Sequence, residues 1–293
     1  MFDTQLFLLG LIAVGFLAAK TRMVDEHSRS SLTDLVLNIF LPCNILLSFF
    51  GSDSSGLQSM GIMAVISIGT IAISYILYRV LYFKTGPEQK KILLYAMLIP
   101  NANFLGSPLI ENIYGIASLS YVAAYLMPLR IAILTVGLVV FTGGKGNLKL
   151  IIFHPCMIAT YLGVAVMFSG FYPPVLAYRL ISALGSSTTP VSMIVVGCIL
   201  GQIKSKKFFT PLVVYFSAIR LLFIPFLIMG ILFLFRTEPL ITGISVILCG
   251  TPAGVTTTIL ADKYGADKNL ASKIVFASTL LSMVTIPLLM WLL

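Results

Sequence analysis

The chain has 293 residues, 58% of them hydrophobic and 10% charged, with a formal net charge of +9. Its mean hydropathy of +1.03 excludes a soluble globular domain and points to an all-α polytopic membrane protein. The basic residues are confined to short loops instead of sharing one soluble face, so the implied partner is the lipid bilayer and not nucleic acid.

About 20 apolar residues are needed to cross the hydrocarbon core. Ten such transmembrane helices are expected, over 4 to 19, 32 to 50, 59 to 82, 89 to 113, 119 to 141, 149 to 169, 174 to 202, 209 to 235, 240 to 263 and 270 to 293. The first reads as a mature span and not a cleaved signal peptide, because Asp3 is the only charge ahead of it while Lys20 and Arg22 follow. In the second, Asn44 and Ser48 follow Pro42. Ser48 is a candidate to line a cavity, and Asn44 bonds between helices or faces substrate. Asp34, after Ser31 and Thr33, reads either as a favourable charge at a helix N-terminus or as a coupling group.

The fourth span contains IPNANFLGSPLIENIYG at 99 to 115. Pro100 and Pro108 lack donors and Gly106 loosens the backbone, so one continuous helix cannot satisfy its own amides and carbonyls here. In the ninth, CGTPAGVTTTILADKYG at 249 to 265 ends in the same Tyr-Gly pair, 150 positions later. Pro190 in the seventh span lies 148 positions after Pro42. Two broken helices in corresponding places are the sequence pointer to a secondary transporter's substrate site. The ten spans divide into a 5+5 inverted repeat, residues 1–142 and 143–293, joined by GGKGNLK.

Charge supports this division. Lys20, Arg22 and Arg29; Arg79, Lys84, Lys90 and Lys91; Lys145 and Lys149; Lys204, Lys206 and Lys207; and Lys263, Lys268 and Lys273 fall in the odd loops or at the span ends that border them, whereas the even loops and their borders hold only Arg179 and Arg236. The odd loops are then cytoplasmic and both termini lie outside a cytoplasmic (cell) membrane.

If each broken helix restarts near midplane, its free amides and positive dipole end begin at about Asn103 and Val255 and suit an anion. Asn101, beside Pro100, offers a neutral donor, and Thr251 holds the offset-matched place beside Pro252. Ala253 and Gly254 leave room for a crossing backbone or a ligand. Arg130, mid-span, attracts an anion, pairs with a neighbouring acid such as Glu111, or snorkels; Arg220 reads rather as structural. Glu111 is the other acidic coupling candidate.

Cys43, Cys156, Cys198 and Cys249 lie in apolar runs, and His27 and His154 are the only histidines. No metal site and no cofactor are expected. An intramembrane hydrolase would need a Ser and His or twin Asp arrangement at midplane, which the sequence lacks, and no phosphate-binding loop is present, so no enzyme is expected.

IPNANFLGSPL at 99–109, TPAGVTTTILADKYG at 251–265, ASKIVFASTLLSMVTIPLL at 271–289 and LPCNILLSF at 41–49 resemble the auxin efflux carrier family over essentially the whole chain. The resemblance implies a scaffold of helices 1, 2, 6 and 7, a mobile transport domain of helices 3–5 and 8–10, crossing of helices 4 and 9 at their breaks, carriage of small organic anions by alternating access, and a homodimer through the scaffold. A sodium-coupled symporter of the bile-acid type and a ligand sensor with a carrier fold are the alternatives. The residues do not decide between malonate, malate, lactate and an aromatic acid.

Overall fold

The computed structural model describes residues 2–47, 49–50, 57–142, 153–202 and 208–293. Ser48 therefore lies outside the described residues. Helices α1 (Phe2–Lys20), α2 (Glu26–Leu47), α3 (Leu57–Leu81), α4 (Pro87–Leu98), α5 (Ser107–Tyr114) and α6 (Leu119–Thr142) are followed by α7 (Pro155–Ser169), α8 (Val175–Ser186) and α9 (Thr188–Gln202). The chain then forms α10 (Pro211–Leu234), α11 (Pro239–Cys249), α12 (Thr256–Lys263) and α13 (Lys268–Leu292).

Among the described residues six stretches, Glu26–Leu47, Gln58–Leu81, Ile116–Ile133, Val175–Gln202, Pro211–Leu234 and Lys268–Leu292, are long and apolar enough to cross a membrane, and Gly10–Lys20, Pro155–Ser169 and Pro239–Cys249 are shorter apolar helices. The expected fourth span is divided between α4, of 12 residues, and α5, of 8. Large apolar side chains point outward along the long helices: Val65 is 68% exposed, Leu176 72% and Val284 70%. Such faces fit lipid, which replaces water as the solvent for them.

Local signals set the helix starts. Proline opens α4, α7, α10 and α11, where its missing amide costs no intrahelical bond. Asp25 Oδ1 accepts from the Ser28 amide at 2.7 Å and Asp267 Oδ1 from the Leu270 amide at 2.9 Å. The Ser28 amide holds the Asp25 carboxyl below the usual carboxylate range. The cap of α2 is thus Asp25. Asp34, exposed and in the last turn of the α-helical part of α2, is not at its N-terminus, which corrects that reading.

Three widened π turns among the described residues, Val36–Phe40, Ala102–Gly106 and Ile219–Phe223, are each followed two residues later by a proline, Pro42, Pro108 or Pro225. A helical proline has no amide to donate and its ring crowds the carbonyl four residues back. Widening the preceding turn relieves that crowding: the amides of Leu41 and Ile224 reach the carbonyls of Val36 and Ile219, five residues back. Pro190 is handled differently, since it sits in the first turn of α9, where a proline is tolerated.

The described helices fall into two compact units. The first comprises Met1–Gly61, Asn103–Ala124 and Lys149–Ile203. Within it α1 lies along α9, and a Cβ at Gly15 or Gly197 would collide with the Ile194 or Ile12 carbonyl of the facing helix. Small residues at that seam let two membrane helices approach backbone to backbone. The second unit comprises Ile62–Ala102, Tyr125–Leu148 and Lys204–Leu293. There α4 packs against α12 and α13, and α11 against α10 and α13. Ile92, Leu93, Tyr95, Met97, Ile244 and Val246 are fully enclosed in this core.

Candidate functional site

The site is built on two places where the backbone leaves helical geometry. Helix α4 stops at Leu98 and Ile99 is extended, because Pro100 disfavours a helical conformation in the residue before it. Helix α11 stops at Cys249, and α12 starts only at Thr256. The two extended pieces pair antiparallel through Pro100 and Ala253. The Asn101 amide donates to the Pro252 carbonyl at 2.7 Å and the Gly254 amide to the Ile99 carbonyl at 2.9 Å. Each interruption thus satisfies part of the other's backbone, which an apolar surrounding requires.

Side chains from neighbouring helices hold the crossing in place. Ser278 Oγ on α13 accepts from the Ala253 amide at 3.2 Å. The Tyr95 hydroxyl on α4 donates to Thr256 Oγ1 at the start of α12, at 3.1 Å. Arg220, 1% exposed, donates from Nη1 to the Cys249 carbonyl at 2.7 Å. A buried cation thereby meets the negative end of α11 at the point where the helix stops. At Gly254 a Cβ would lie 3.1 Å from the Ile99 carbonyl oxygen, so the close crossing favours glycine there.

Most amides at the second interruption are therefore committed. Gly254 donates to Ile99, Thr257 to Gly254 and Thr258 to Val255, leaving the amides of Val255 and Thr256 at the start of α12. Among side chains, Asn101 Nδ2 and Thr257 Oγ1 are buried without a hydrogen-bond partner, in residues 2% and 0% exposed, and Thr258 Oγ1 is a third such atom. A neutral amide donor and two hydroxyls at a proline-opened crossing can receive a carboxylate without placing a fixed cation at that depth.

A second polar cluster lies in the first unit. Glu111 Oε2 on α5 accepts from Asn44 Nδ2 on α2 at 3.3 Å and from Thr189 Oγ1 on α9 at 3.2 Å.

The family model described as "Membrane transport protein" matches residues 1–151 and 144–290. The chain belongs to the auxin efflux carrier family of membrane transport proteins. An "Uncharacterized transporter" of Methanothermobacter thermautotrophicus is 26% identical over 98% of this chain and 96% of its own length. A second archaeal relative, "Uncharacterized transporter MJ1031" of Methanocaldococcus jannaschii, is 25% identical over 99% and 98%. A "Putative malonate transporter" of Rhizobium meliloti is 28% identical over 50% of this chain and 46% of its own length.

For this family member, the residues expected from sequence divide as follows. Pro100, Asn101, Pro252, Ala253 and Gly254 form the crossing itself. Thr251 is fully buried beside them, but its hydroxyl donates to the Leu248 carbonyl at 2.7 Å, so that hydrogen is spent within its own helix end. Arg130 is buried in α6, two residues beyond Pro128. Asn103 opens the stretch 103–124 of the first unit, with a buried Oδ1 that has no hydrogen-bond partner. Glu111 takes uncharged donors, Asn44 and Thr189, and Arg220 holds the end of α11. Sequence reasoning missed Tyr95, Thr257, Thr189 and Ser278. The threonine run at 256–258 was a visible signal; a tyrosine or serine in an apolar helix gives none until the fold shows its partner.

Proposed function

We propose that the chain is a secondary transporter that moves a small organic anion, a carboxylate, across the cytoplasmic membrane by alternating access. The substrate binds where helices 4 and 9 of a ten-helix, 5+5 inverted repeat break and cross. The observation that carries this reading is the crossing of Pro100 with Ala253, flanked by the buried, unpartnered donor Asn101 Nδ2. A carboxylate supplies the acceptor that an enclosed amide nitrogen needs.

Several further observations support it. The family model matches both halves of the chain, six described helices are long and apolar enough to span, and one relative is named for malonate transport. Pro100, Asn101, Pro252, Ala253 and Gly254 would surround the anion, with Thr257 and Thr258 as added donors and Arg130 as a source of attraction. Both termini lie outside by the distribution of Lys and Arg in the loops, and a homodimer through helices 1, 2, 6 and 7 is the expected assembly.

The test is a thermal-shift panel of malonate, malate, lactate and aromatic acids on the purified protein, with counterflow of labelled malonate in liposomes. Stabilisation by at least one acid, weakened in Asn101→Ala, is expected. Absence of stabilisation by every acid, in sodium and in sodium-free buffer, would remove the anion reading; an equal response of the variant would remove the crossing as its site.

A further inference from the structure

Glu111 sits half-buried on α5, within a chain whose long helices span lipid. Its two hydrogen-bond donors, Asn44 and Thr189, are 3% and 8% exposed and come from two different helices, α2 and α9. Both donors are uncharged. Neutral donors offset only part of the cost of holding a full carboxylate charge away from water. The remaining cost is removed when the carboxylate takes up a cation.

Asn44 indicates which cation. Its Nδ2 donates to Glu111, while its Oδ1, on the same amide carbon and enclosed by protein, has no hydrogen-bond partner. The amide thus presents a donor and an acceptor within one side-chain length of the same carboxyl oxygen. An ionised Glu111 accepts from Nδ2; a protonated Glu111 has an O–H to donate, and a half-turn of the amide brings Oδ1 to receive it. Thr189 serves both states as well, because a hydroxyl donates or accepts. One carboxyl, one amide and one hydroxyl fall short of the roughly six oxygens that a hard metal cation collects.

We propose that Glu111, Asn44 and Thr189 form a proton-binding site that couples carriage of the anion to the pH gradient. The proton comes from water on one face, adds to Glu111 Oε2 to give a neutral acid, and returns to water on the other face, with no other bond made or broken. The coupling rests on the carrier reading above; the binding of the proton does not.

Other ionisable groups lie on the elements packed against α5. These are Asp3 and Lys20 in α1, Cys198 in α9 and Tyr114 on α5 itself. In α2 they are Cys43, next to Asn44, and Glu26, His27, Arg29 and Asp34, at least ten residues before Asn44. Ten residues are about 15 Å of helix, which separates those charges from the cluster.

The test titrates the purified protein in lipid by infrared difference spectroscopy, beside uptake of labelled malonate under imposed gradients. A protonated-carboxyl band that grows as pH falls, disappears in Glu111→Gln and moves in Asn44→Leu and Thr189→Val is expected. Uptake by the parent should rise severalfold with an inwardly directed proton gradient, and the response to the gradient should vanish in Glu111→Gln. Persistence of the whole band in Glu111→Gln overturns the proposal, as does uptake that follows a sodium gradient and ignores pH. Should Glu111→Gln fail to fold, a band unmoved by both Asn44→Leu and Thr189→Val has the same force. A parent that shows the band but is stabilised by no acid of the panel and shows no counterflow refutes the anion reading and the coupling, and leaves the proton site standing.

Discussion

Arg220 donates to the carbonyl of Cys249 across 2.7 Å, and so a buried guanidinium closes the helix that ends at the crossing. The bond joins α10 to the last residue of α11. It accounts for an intramembrane cation without assigning it to substrate.

Replacing Arg220 with Met keeps the stem and removes the donor. The Cys249 carbonyl then loses its partner in an apolar surrounding, at a cost of about 1–3 kcal/mol. A lowered Tm in detergent is expected, with Arg220→Lys recovering part of the loss because a single ammonium reaches one carbonyl without the planar fork.

Gly254→Ala brings a methyl group to 3.1 Å from the Ile99 carbonyl oxygen and 3.3 Å from Thr256 Oγ1. Displacing a backbone segment and the start of α12 by a few tenths of an ångström costs on the order of 1–3 kcal/mol. Malonate counterflow should fall more than Tm does, and Gly254→Val should abolish counterflow. Full activity in the valine variant would show that the crossing tolerates separation.

Tyr95→Phe retains the ring that packs edge-on against Phe141 at 5.4 Å between centroids and deletes only the bond to Thr256. A stability loss of about 0.5–1.5 kcal/mol is expected. Affinity for the stabilising acid, read by calorimetry, should drop with it, since Thr256 opens α12.

Asn101→Ala leaves the backbone bond to Pro252 intact and removes the side-chain donor. The acid-dependent thermal shift should shrink, corresponding to about tenfold weaker binding, or 1.4 kcal/mol. The variant's Tm without acid should stay near the parent's, because Asn101 Nδ2 makes no hydrogen bond within the protein.

The helical class and the two interrupted stretches were legible because proline and lipid act locally: Pro100 and Pro252 each remove an amide and crowd the preceding turn of an apolar helix. The meeting of Ile99–Asn101 with Pro252–Gly254 was expected only from the resemblance to the family, and its register depends on which carbonyl each amide reaches. Thr251 illustrates the gap. It holds the offset-matched place to Asn101, yet a threonine hydroxyl at a helix end bonds backward to its own turn, and Thr251 does so with Leu248. The association of Asn44 with Glu111 spans 67 positions and of Glu111 with Thr189 spans 78, and no local pattern encodes either. Asp34 was misplaced because the helix starts earlier than the apolar run, at a cap set by Asp25.

The π turn at Val36–Phe40 fixes the angular phase of everything beyond it in α2. One residue more per turn rotates the following segment by about 100° relative to a regular α-helix. Asn44 faces Glu111 only with that rotation in place. Deleting one residue from the turn would restore ordinary spacing, carry Asn44 off the carboxylate and present a neighbouring position instead. A proline and its widened turn thus act in α2 as a gauge that selects which side chain meets the acid.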